Sequence, residues 1–127
     1  MVNSMNDVKV NGTSSMDPNV LQTGLPHGGC SFIYSKNLKF EIMHVSVDSY
    51  RWCAVLCGFT NNVTILMFNI YIPCDTDNDQ ANLEAYIDVL SKISHVRSNY
   101  IDINYAIIAG DLNTEVTRRN SLHTIAV

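Results

Sequence analysis

Two apolar runs with one amphipathic stretch between them constrain this chain more than any other feature it carries. Val63-Thr-Ile-Leu-Met-Phe-Asn-Ile-Tyr-Ile72 and Tyr105-Ala-Ile-Ile-Ala109 have the length and β-branched content of strands. Between them Leu83, Ile87, Leu90, Ile93 and Val96 recur at spacings of three or four, with Glu84, Asp88, Lys92 and Arg97 interleaved, which is the period of a helix with one core-facing stripe. Pro73 stops the first run, and Asp75-Thr-Asp-Asn-Asp79 offers side chains that cap a following helix. Strand, helix, strand in this order predicts a crossover between parallel neighbours, whose carboxyl ends then emerge on one edge. The second run reads as a fully covered strand that breaks at Gly110, after which Asp111 and Asn113 point the same way if the extended geometry persists. Ligands of α/β sheets bind at the carboxyl ends of strands, so Tyr71, Asp111 and Asn113 form one candidate rim.

Upstream, Cys30-Ser-Phe-Ile-Tyr34, the alternating Lys39-Phe-Glu-Ile-Met-His-Val45 and Tyr50-Arg-Trp-Cys-Ala-Val-Leu-Cys-Gly58 predict three further strands. The first two are expected to pair through a turn near Lys36-Asn37, and with the run from Val63 to Ile72 they suggest an antiparallel meander of four. Residues 1–26, rich in Asn, Ser, Thr, Gly and Pro, have loop composition, leaving 27–127 as the folded domain.

A chain of 127 residues, 46% hydrophobic and 16% charged, can bury the core of one domain. Its net charge of −4 argues against a strongly basic nucleic-acid sleeve and leaves only local patches. Lys36, Lys39, Arg51, Arg97, Arg118 and Arg119 are the candidate cations; Arg118-Arg119 stand out by following the Gly-Asp-Leu-Asn segment, although a solvated loop pair explains them equally well. Cys30, Cys53, Cys57 and Cys74 form no Cys-x-x-Cys pair and read as reduced core residues. No secretory leader is evident, and no apolar run approaches the ~18 residues of a membrane helix, so a soluble intracellular protein with no membrane partner is expected. The sequons at Asn11 and Asn62 then read as chance matches.

The order Gly28-Gly29-Cys30-Ser31-Phe32-Ile33-Tyr34, Asn69-Ile-Tyr71-Ile-Pro73, helix, Gly110-Asp111-Leu112-Asn113 resembles the endonuclease/exonuclease/phosphatase superfamily, which includes apurinic-site endonucleases. The likeness is greatest to the endonuclease domains of non-LTR retrotransposons, with Arg119-Asn-Ser121-Leu-His123 like part of their following segment. It covers roughly residues 24 to 124, and its specific segments are Tyr-x-Pro and Gly-Asp-Leu-Asn. The resemblance implies a partial four-layer α/β sandwich, mixed β-sheets flanked by helices, that cleaves phosphate esters of DNA with Mg²⁺ in the nucleus. By the same resemblance Asp111 orients or deprotonates the attacking water, Asn113 holds the phosphate or that water, and Tyr71 hydrogen-bonds a phosphate oxygen. Arg118 and Arg119 are weak candidates for nucleic-acid contact. The family's metal-binding glutamate and its carboxyl-terminal Ser-Asp-His segment have no counterpart, since no Glu precedes Glu41 and His123 comes too early. No metal ligand is therefore assigned, and the chain is expected to be an internal fragment with little or no activity alone.

Other chemistry finds less support. Asp75-x-Asp77-x-Asp79 imitates a calcium loop, but Gln80 stands where the turn glycine belongs and Tyr86 where the bidentate glutamate belongs. His27, His44, His95 and His123 show no zinc-ligand spacing, and Ser31 lacks the setting of a hydrolase nucleophile. Two rivals to the nuclease remain: another phosphoesterase, such as a phosphatase of the same superfamily, and a non-catalytic binding module or remnant.

Overall fold

The computed structural model describes residues 7–14, 16, 19, 28–72 and 80–113. They form β1 (Val8–Ser14), β2 (Gly29–Ser35), β3 (Glu41–Val45), β4 (Trp52–Gly58), β5 (Thr64–Tyr71), α1 (Gln80–Ser98) and β6 (Tyr105–Asp111). A two-stranded antiparallel sheet, β1-β2, accompanies a four-stranded mixed sheet ordered β3-β4-β5-β6. The expected mixed α/β content is present, as two sheets and one helix rather than four layers.

Residues Trp52, Ala54, Leu66, Phe68, Ile70 and Ile72 alternate onto one face of the larger sheet, where Tyr86, Val89 and Ile93 of α1 cover them. The helix is where its period places it, but its buried centre is Tyr86-Val89-Ile93. Leu83, Leu90 and Val96 flank that line half-buried, and Ile87 is turned outward, 49% exposed. The opposite face carries buried Cys53, Val55 and Cys57, over which β2 lies. The Cys30 thiol donates to the Arg51 carbonyl at 3.3 Å, and the Asn69 amide donates to the Ser31 carbonyl at 2.9 Å, joining the two sheets. Cys30, Cys53 and Cys57 are buried free thiols, as expected; Cys74 lies outside the described residues.

Two expectations about the strands are corrected, one of pairing and one of burial. β2 does not pair with β3. Its partner is β1, in a seven-residue register from Val8↔Ser35 to Ser14↔Gly29, within the segment whose composition suggested loop. The physical reason is that β1 (Val-Lys-Val-Asn-Gly-Thr-Ser) is stabilised by its ladder rather than by an apolar face, so its composition hides it. The antiparallel meander accordingly has three strands, β3-β4-β5.

The second correction concerns β6. It pairs in parallel with β5 from Ile65↔Tyr105 to Tyr71↔Asp111, as the strand-helix-strand order predicts, but it is exposed along its entire length. The buried residues of α1 pack over β4 and β5, so the apolar run that reads as a covered strand is an edge.

Candidate functional site

The β5-β6 ladder is clamped at both ends. At the start, Asn104 donates its backbone N–H to the Thr64 carbonyl at 2.9 Å, and its side-chain oxygen accepts from the Thr64 N–H at 2.7 Å. At the finish, the Ile72 N–H donates to the Asp111 carbonyl at 2.9 Å. Tyr71 and Asp111 are therefore direct ladder partners at the carboxyl ends of two parallel strands, on the same face as Asn69 and Ala109. The shared rim inferred from the sequence is present, with Tyr71 44% exposed and Asp111 open to solvent.

Gly110 makes this close pairing possible. It has φ of +127°, and a Cβ at this position would collide with the backbone of Ile70 and approach Asn69 Oδ1 at 2.9 Å. Only glycine meets both conditions.

Asn113 departs from expectation. The extended geometry ends at Asp111, and Asn113 takes a left-handed φ of 45° that asparagine tolerates better than most residues. Its backbone N–H donates to Asp111 Oδ1 at 3.0 Å, an Asx turn, while its side-chain Nδ2 donates to the Ile72 carbonyl at 2.7 Å. Asp111 and Asn113 thus do not present parallel side chains. Asn113 holds the aspartate and ties the turn to β5, so its amide N–H is engaged within the protein.

Asn69, named in the sequence only as the start of the Asn-x-Tyr-x-Pro strand and given no role there, also belongs to this edge. Its amide anchors the β1-β2 sheet next to the rim, and its place two residues before Tyr71, on the same strand face, was the available signal. None of the described basic candidates is shown in contact with Tyr71 or Asp111. Arg51 lies over the Tyr50 ring at 5.1 Å, and Arg97 donates to the Tyr100 carbonyl at 3.4 Å; Arg118 and Arg119 lie outside the described residues, as do Pro73, the Asp75–Asp79 cluster, His27 and His123.

Magnesium prefers octahedral oxygen ligands, commonly one or two carboxylates with waters and substrate phosphates. Among the described residues the rim offers the Asp111 carboxylate, with Oδ1 already accepting a hydrogen bond, and no three His, Cys, Asp or Glu side chains converge as a metal-binding group. Asp111 is thus the one carboxylate that the described residues place at the rim, and no step is derived through a metal. What the rim supplies is an oriented carboxylate acceptor beside a phenolic donor. No helix among the described residues is long and apolar enough to cross a membrane. Searches among protein families, curated proteins and solved structures find no match to this chain.

Proposed function

We propose that this chain is part of a DNA phosphodiesterase domain similar to the endonucleases of non-LTR retrotransposons, working in the nucleus, with Asp111 and Tyr71 at its reacting edge. The four-layered sandwich of such domains would then be completed beyond the described residues. One observation carries the reading: Tyr71 and Asp111 are ladder partners at the carboxyl ends of parallel strands joined through a helix. In this proposal Asp111 Oδ1 is fixed by the Asn113 N–H, and the other carboxylate oxygen accepts a proton from the attacking water. The exposed Tyr71 hydroxyl donates to a phosphate oxygen. Asn113 is a positioning residue here rather than a phosphate ligand. Magnesium enters through the sequence resemblance alone.

A nicking assay on supercoiled plasmid with Mg²⁺ tests the reading, applied to this chain and to a longer one carrying flanking residues. The expected outcome is no cleavage by the chain alone and cleavage by the longer one, reduced at least ~100-fold by Asp111→Ala. Nicking by the unextended chain that disappears with Asp111→Ala would overturn the fragment reading. No cleavage by either form would overturn the nuclease reading and favour the non-catalytic remnant, to which the engaged Asn113 amide already lends support. Hydrolysis of phosphomonoesters but not of plasmid would select the phosphatase alternative.

A further inference from the structure

We propose that the end of the molecule opposite the Tyr71/Asp111 rim is a contact surface for single-stranded nucleic acid, built from Lys9, Lys36 and Lys39 around the stacked rings of Phe40 and Phe59. The position follows from the ladders. Glu41 pairs with Gly58 and Gly58 with Thr64, so the segments 39–41 and 58–60 meet where β5 begins, seven ladder residues and roughly 20 Å from its carboxyl end. Two adjoining clefts open there. One, of about 290 Å³, is walled by Lys9, Tyr34, Lys36 and Phe40; the other, of about 540 Å³, is walled by Lys39, Phe40 and Phe59. Phe40 belongs to both and stacks on Phe59 with ring centroids 4.4 Å apart.

Charge is concentrated at this end of an acidic chain. Three of the six described cations, Lys9, Lys36 and Lys39, lie here; of the other three, Lys92 is paired with Asp88 at 2.8 Å, Arg51 lies over the Tyr50 ring and Arg97 donates to a carbonyl. Lys9 and Lys39 have no carboxylate partner among the described residues. The nearby acids are Glu41, which lines both clefts, and Asp7, whose backbone carbonyl accepts from the Lys36 N–H at 2.8 Å. The Tyr34 hydroxyl, 3.3 Å from His44 Nε2, adds a polar group beside Lys9, its ladder partner.

Lysines flanking an aromatic pair suit a ligand that has both phosphates and flat apolar faces. In a duplex each base face is covered by its neighbours, so an unpaired strand is the form that can place a base against Phe40. The lysines engage its backbone by displacing counterions. This surface lies apart from the rim and does not depend on the phosphodiester chemistry proposed there.

Fluorescence anisotropy with a labelled oligothymidine of about 12 nucleotides, in EDTA to suppress cleavage, tests the assignment. The intact chain is expected to bind in a salt-dependent manner. Combined Lys9→Ala, Lys36→Ala and Lys39→Ala should weaken binding at least ~10-fold at low salt and flatten the plot of log affinity against log salt by about 2, near 0.7 per lost contact. Phe40→Leu should weaken binding about 10-fold with the slope retained, and replacement of the exposed helix residue Ser94 by alanine should leave affinity unchanged. Absence of binding, or equal binding by the triple-lysine variant, overturns the proposal. Equal affinity for a duplex of the same length overturns the single-strand assignment. Circular dichroism checks that the variants are folded, and the exposed lysines keep the test valid even if Phe40→Leu unfolds.

Discussion

Gly110 fixes the relation between the two strands that carry the candidate site. At φ of +127° and against the Ile70 backbone, any side chain forces either the dihedral or the ladder to yield. Gly110→Ala is expected to destabilise the fold by about 2–4 kcal/mol. Hydrogen exchange should show the loss concentrated in the amides of 70–72 and 105–111. Uniform protection in the variant would mean that the close approach is not strained. The Gly-Asp-Leu-Asn string revealed that the backbone needed a glycine, but it did not reveal the role of Asn113. Period-two reasoning holds only while the chain stays extended, and an asparagine can leave the strand by turning left-handed and bonding to its own neighbourhood. Here it does both, to Asp111 and to the Ile72 carbonyl.

Among the elements, β5, α1 and β6 were legible because a helical period between two apolar runs leaves few alternatives, and their parallel pairing followed from the connection. The exposure of β6 was not legible, since an apolar run records a residue type and not what covers it. β1 was hidden for the opposite reason, as a strand held by ladder bonds to β2 with little apolar patterning of its own. The bare edge has its own consequence. Tyr105 is 62% exposed, Ile107 41% and Ile108 50%, and no charge occurs from Tyr105 to Gly110. A seven-residue edge whose first six residues carry no charge, and whose outer backbone groups have no strand partner among the described residues, is a template for pairing with another chain. Sedimentation velocity is expected to show concentration-dependent association. Ile108→Lys should suppress it while changing stability by no more than about 1 kcal/mol, because the position is half exposed and a lysine on an edge blocks pairing. A parent chain that stays monomeric at every concentration would show that residues beyond those described already cover the edge.

For the molecule as a whole, the layer between the two sheets ties stability to pH. Cys53, 2% exposed, has its thiol pushed up from 9.0 to about 11, first by burial and then by the neighbouring Cys30. Burial also raises Cys30 and Cys57, and Tyr86 at the helix interface moves the same way. Each group is neutral when protonated, and the folded chain retains the proton at a pH where the unfolded chain has lost it. The stabilisation is therefore complete below about pH 9 and drains away as pH rises towards 11, with Cys53 the largest contributor. Urea unfolding under reducing conditions should show a midpoint that falls between about pH 9 and pH 11. The slope should be shallower in Cys53→Ala, which has no proton to lose at that position. An equal slope in the variant would place the alkaline sensitivity elsewhere, in the self-repulsion of a chain that already carries a net charge of −4. The two causes separate on added salt, because repulsion between exposed charges is screened whereas the cost of ionising a thiol sealed between two sheets is not.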